Sequence, residues 1–390
     1  MIRSPFFSIG FRPFFAVGTL FGALALLAWA AFWQLDTQGI LVNNMKPFGG
    51  FLFWHPHELI MGFALAIIMG FLLTAVRNWT GLETASSNGL ILLLALWVFA
   101  RYTMACSEQF SFKVILISQM VPPLLTALFI GIPIIKKRLW RNLFAPGILI
   151  IFSIFDILML YQVQQKQVLP SQILSSATLL IMVLITMIGG RIIPFFTANK
   201  LRIPKVEEPK PIFLACVIPL VILVFISLLP DNEILNFINN SCAVLLFLSN
   251  SLRMVNWHHK GIWSHPMLWS LWVFYGALPL GFLFMALNPF LELGTVPLHI
   301  MAVGSMCGLI VSMISRVSLG HTGRVIHHDA IILIAFAAIG ASVLLRTLAV
   351  GILGMNTLLI ILSAVLAAIS LSLIFMRFIY VWMTPRPDGK

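Results

Sequence analysis

WHPHELIMGFALAIIMGFLLTAVRNWTG, residues Trp54 to Gly81, decides how this chain is read. Two histidines and a glutamate open it, and an apolar run of about twenty residues follows, enough to span a bilayer core of roughly 30 Å. Proline is favoured at the first helical position, so Pro56 predicts a helix start that puts His57 and Glu58 in the first turn, at one membrane edge. Gly62, Ala66 and Gly70 recur every four residues. They form a smooth strip on which another helix or a flat ligand can approach the backbone.

The rest of the chain has the same character. Of 390 residues, 60% are hydrophobic and 9% charged, with mean hydropathy +1.03. A soluble domain carries about a quarter charged residues, so the fold class is an all-α polytopic membrane protein. The net charge of +12 falls between apolar runs and not on one face, which argues for topology signals and against nucleic acid. Cys106, Cys216, Cys242 and Cys307 lie in or at the ends of apolar runs without CxxC or CxxCH, as small buried hydrophobes do.

Spanning runs occur near residues 14–33, 56–76, 88–106, 114–135, 143–161, 171–190, 211–229, 234–254, 266–287, 297–315, 329–350 and 354–379. Twelve helices in one membrane domain, residues 1–390, are expected. With the N-terminus cytoplasmic, nineteen of the 24 Lys and Arg fall on the inner side, so both termini are placed there. The loops Lys136–Arg141 and Arg191–Lys210 dominate that bias. His55, His57 and Glu58 then sit at the outer edge of the second span, and His299 at the same edge of the tenth. His258, His259, His265, His321, His327 and His328 are assigned to inner loops.

Two histidines at matched depth on two helices can clamp one metal or the two faces of a haem. Aligned on His57 and His299, both spans carry Gly at the fifth position, small residues at the ninth and thirteenth, and Thr-Gly at the twenty-third and twenty-fourth. Such an echo suggests an internal repeat. A fainter copy in the sixth span, from Arg191 to Thr197-Ala198, would give three four-helix arcs about a pseudo-threefold axis. Asp156, well inside the fifth span, is a candidate for proton movement or pairing. Arg191, Arg316, His321 and Arg324 mark a polar group at the inner edge that could be an anion or partner site.

FRPFF (Phe11 to Phe15), WHPHELIMGF (Trp54 to Phe63), GFLLTAVRNWTG (Gly70 to Gly81), GGRIIPFFTAN (Gly189 to Asn199) and HIMAVGSMCGLIVSMISRVSLGHTGR (His299 to Arg324) resemble the signature blocks of the NnrS family. The resemblance implies a bacterial inner-membrane protein with twelve spans, haem and copper, linked to nitric oxide and nitrosative stress; nitric oxide or a related small molecule, and quinol or another redox partner, are the candidate partners.

A more distant likeness is to the haem-copper oxidase catalytic subunit, whose second and tenth helices hold a haem by histidines; His57 with Met61 is similar to its helix 2 pattern. That likeness implies His57 and His299 as axial ligands of haem b, with Arg346, then Arg101, as propionate partners. It departs at Pro297, where those oxidases have a second histidine, and in a sixth span without histidine, both of which argue against oxygen reduction. Copper, if held, would draw on His55, Glu58 and the thioethers of Met61, Met301 and Met306. The alternative reading is a twelve-helix secondary transporter without redox cofactor.

Overall fold

The computed structural model describes residues 4–37, 47–166, 169–230, 232–351, 354 and 356–388. Every regular element among them is helical. The principal helices are α1 (Phe11–Thr37), α2 (Phe51–Thr80), α3 (Ser87–Ala105), α4 (Phe112–Lys136), α5 (Phe144–Lys166) and α6 (Ser171–Leu201). They continue as α7 (Lys210–Ile226), α8 (Glu233–Trp257), α9 (Pro266–Leu291), α10 (Val296–His321), α11 (Ala330–Gly351) and α12 (Thr357–Met383). Eleven are long and apolar enough to cross a membrane; α7 is a shorter apolar helix. The chain is a polytopic membrane protein.

Several ends differ from the sequence reading. α2 begins at Phe51, so Pro56 lies inside the helix and His57 and Glu58 fall one turn deeper than expected. The apolar FLF before Trp54 extends the helix, and an early proline costs little because few turns precede it. α6 runs on through Gly189-Gly190 to Leu201, so Arg191 and Phe196 are helical and not in a loop. α10 likewise carries His321 as its last residue, correcting its placement in a loop.

The chain forms two compact units. Unit 1 comprises Met1–Leu174, Ser318–Val325 and Ile374–Lys390; unit 2 comprises Ser175–Val317 and Ile326–Leu373.

In unit 1, α2 packs against α1 and α4, and α4 against α3 and α5. The small-residue strip is taken up by α1. A Cβ on Gly70 would stand 2.6 Å from the Phe14 Cβ, and one on Gly18 2.6 Å from Ile67. The Phe11 amide also donates to Thr74 Oγ1 at 3.0 Å. In unit 2, α10 packs against α9 and α11, and its strip is taken up by α9: a Cβ on Gly304 would lie 2.6 Å from Ala277, and Gly308 faces Phe274. In both cases a helix, not a flat ligand, covers the strip, the close packing that small residues permit in a membrane.

The two helices share a second feature. Directly after His57, residues Glu58–Ala64 form a π-helical segment, and directly after His299, Ile300–Cys307 form another. Both also end alike. Thr80 Oγ1 donates to the Val76 carbonyl at 2.7 Å and Thr322 Oγ1 to Ser318 at 2.5 Å. The next residues, Gly81 and Gly323, have φ of 69° and 68°, the left-handed conformation that ends helices and favours glycine.

Candidate functional site

Unit 1 gathers charged and polar side chains from four helices. His57 and Glu58, on α2, are fully buried, and Arg101 (α3), Gln119 (α4) and Asp156 (α5) nearly so. His57 Nδ1 lies 2.9 Å from Glu58 Oε1 and its Nε2 lies 2.8 Å from Asp156 Oδ1. Arg101 donates to Glu58 Oε1 at 2.7 Å and, through its other terminal nitrogen, to Gln119 Oε1. Gln119 in turn donates to the Ala100 carbonyl at 2.8 Å. The Trp97 indole donates to the Gly62 carbonyl at 3.2 Å, inside the π segment. α2 and α4 reach the cluster near their N-terminal ends, and α3 and α5 in their C-terminal halves.

This arrangement balances charge. Each imidazole nitrogen faces a carboxylate oxygen, so either the ring carries both protons or one carboxyl keeps its own. With an imidazolium, two positive groups meet two negative ones, the condition under which charges persist in a low-dielectric interior. Glu58 Oε2 is sealed from solvent and has no hydrogen-bond partner. Gly62 leaves room for the pair: a Cβ there would lie 2.9 Å from Arg101 Nη1 and 3.1 Å from Glu58 Oε2. Asp156, expected to move a proton or to pair, is paired with His57.

In unit 2, His299 is half-buried. Its Nδ1 lies 2.9 Å from the Thr295 carbonyl and its Nε2 3.0 Å from Arg346 Nη2 on α11. A carbonyl can only accept and a guanidinium can only donate, so the ring is neutral, with its proton on Nδ1 and its lone pair on Nε2.

The other expected ligands have structural neighbours. His55 stacks on Trp29 of α1, ring centroids 4.0 Å apart and 9° from parallel. Met61, Met301 and Met306 are buried in packing. Among the described residues, no group of three or more His, Cys, Asp or Glu side chains is arranged to hold a metal ion.

The residues expected at the inner edge divide between the units. In unit 1, Arg324 donates to Thr384 Oγ1 at 2.8 Å, and Arg386 to the His321 carbonyl at 3.1 Å. Arg12, buried in FRPFF, donates to the Trp382 and Thr384 carbonyls at 3.2 and 2.8 Å, satisfying carbonyls at the end of α12. In unit 2, Arg191 is exposed, and Arg316 stacks on Phe196, its Cζ 4.0 Å from the ring centroid.

Sequence reading missed Gln119, Arg12 and a second buried network in unit 2. Arg253 of α8 pairs there with Glu208 and donates to the Thr186 carbonyl and to Tyr275 Oη at 2.8 and 2.9 Å. Tyr275 Oη donates to Asn250 Oδ1 at 2.7 Å. The available signal was a polar residue inside an apolar span, which demands a partner.

No curated protein matches the chain. The blocks that carry these histidines, arginines and small-residue strips lie within residues 5–386, which match the family model described as NnrS protein, and the chain belongs to the NnrS family.

Proposed function

We propose that this protein is a nitric-oxide-related haem protein of the bacterial inner membrane, with His299 and His57 as iron-ligating imidazoles of haem b. The supporting observation is local and occurs twice. Each histidine stands at the start of a π-helical segment with Nδ1 already engaged, by the Thr295 carbonyl or by Glu58. A metal-ligating histidine is oriented in this way by its other nitrogen, and π segments recur at functional sites.

The two rings fit a haem unequally. His299 presents an Nε2 lone pair beside Arg346, a cation that also suits a propionate. His57 Nε2 is held by Asp156, so ligation there requires that carboxylate to let go. Arg101, the second propionate candidate, is committed to Glu58 and Gln119. Haem held by imidazoles supplies one-electron chemistry and an iron that binds small gases on losing a ligand. The chain's part is to orient the rings, exclude water, and fix two carboxylates and a guanidinium beside His57. Copper at His55, Glu58 and Met61 has less support, because His55 is stacked and Met61 sealed.

The deciding experiment is the dithionite-reduced minus air-oxidised spectrum of the detergent-purified chain, with a pyridine haemochrome. Sharp α and β bands of a low-spin b haem support the reading, and their perturbation by nitric oxide shows that the gas reaches the iron. A colourless protein ends it and favours the secondary transporter.

A further inference from the structure

We infer that Arg316 forms a binding site for a small planar oxyanion. It lies near the end of α10 with 6% of its surface exposed, and protein alone provides that burial. A guanidinium stays charged and carries five N–H donors. Its Nε is sealed without an acceptor. Among the described residues its one specific contact is the face of Phe196 on α6.

Four other buried or half-buried arginines are treated differently. Arg101 has Glu58, Arg253 has Glu208, Arg12 has three carbonyls and Arg346 has His299. A cation–π contact offsets only part of the cost of burying a charge, so Arg316 lacks the acceptor, whether carboxylate, carbonyl or neutral imidazole, that each of these four possesses.

A neighbouring donor points the same way. Ser312, one turn earlier on the same face of α10, is buried with its Oγ unpartnered. Helical side chains lean toward the helix N-terminus, which lays the arginine stem over the turn that carries this serine. With its face on Phe196, the guanidinium has its edge left for bonding. A planar oxyanion accepts two parallel N–H bonds from that fork and a third from a serine hydroxyl. A lipid phosphate would need the guanidinium on the bilayer-facing surface, and protein covers it. His321, the helix end, lies five positions beyond Arg316, about one and a half turns, so a soluble anion enters from the adjoining aqueous side.

The test is thermal unfolding of the detergent-purified full chain at constant ionic strength, with nitrate as the planar probe and chloride and sulfate as spherical and tetrahedral controls. A ligand that binds only the folded state raises the midpoint with concentration. Nitrate is expected to raise it by several degrees, more than either control. Arg316→Met should abolish that rise and, in low-anion buffer, match or exceed the wild-type midpoint, because a buried charge without a partner has been removed. Arg316→Lys, which keeps charge but not the planar fork, should need at least tenfold more nitrate for the same rise. It carries the test alone if the methionine variant fails to fold. No nitrate response in the wild type, or an equal one in the variants, would overturn the site. Neither result bears on the haem spectrum, so the two proposals fail separately.

Discussion

His57 Nε2 lies 2.8 Å from Asp156 Oδ1, joining α2 to α5 across 99 positions of sequence. This contact turns two isolated polar residues into a balanced set. Glu58 brings in Arg101, Arg101 brings in Gln119, and the polar atoms of four apolar helices are drawn to one place. The π segment begins at Glu58, the next residue after His57. A π turn holds more residues than an α turn and so alters the facing of the side chains that follow. Glu58 and Gly62 both meet Arg101 there.

Replacing Asp156 separates the hydrogen bond from the charge. Asp156→Leu leaves a buried imidazole nitrogen without a partner and should cost about 3–5 kcal/mol, as breaking a buried pair does. Asp156→Asn lets the ring become neutral and accept from the amide, so the loss should be about 1 kcal/mol. Thermal unfolding in one detergent measures both, and equal losses would show that charge, not the hydrogen bond, sets the cost.

Arg101 and Glu58 should be coupled. Arg101→Met strands a buried carboxylate and removes the partner of Gln119, a loss again of about 3–5 kcal/mol. The double variant Glu58→Met, Arg101→Met leaves His57 and Asp156 as a balanced pair. It should be less destabilised than the sum of its singles by about 0.5–3 kcal/mol. Strict additivity in a double-mutant cycle would mean that the ion pair contributes no interaction of its own.

Glycines on the packed strip should be intolerant where those elsewhere are not. A Cβ at Gly70 meets the Phe14 Cβ at 2.6 Å and the Gly10 carbonyl at 3.2 Å, whereas one at Gly340 of α11 meets nothing within 4 Å. Gly70→Ala should therefore cost about 1–3 kcal/mol through overpacking. Gly340→Ala should be neutral or stabilising by up to about 1 kcal/mol through helix propensity. Comparable midpoints for the two would show that α1 gives way.

Hydropathy marked all twelve principal helices, although α7 is shorter than the spanning run expected there; an apolar run long enough for a bilayer has few other fates. Their ends were harder to read. Pro56 suggests a start, yet FLF before it is apolar enough to continue the helix; Gly189-Gly190 suggests a stop, yet α6 passes through, and Gly190 makes room for the Arg253 guanidinium. The echo between the second and tenth spans was visible in their small residues and Thr-Gly ends, but not the π segments, which local residue spacing does not mark. The pairing of Asp156 with His57, and of Arg253 with Glu208, depends on which helices adjoin. Sequence showed only that each buried charge required some partner.

Histidine variants test the iron-ligand assignment directly. If Nε2 of His299 and of His57 ligates iron, His299→Ala and His57→Ala should each lose the low-spin b-haem bands. His321→Ala should keep them, since its ring contacts Phe11 at the far end of α10. His57→Ala also unbalances Asp156 and Glu58, so haem loss there could follow from misfolding. Thr295 separates the two causes at the other histidine. Its carbonyl holds His299 through the backbone, so Thr295→Val should leave haem content unchanged. Haem content should be measured against protein by pyridine haemochrome, with unfolding midpoints alongside. Full haem in a folded His299→Ala variant would place the iron ligand on another residue.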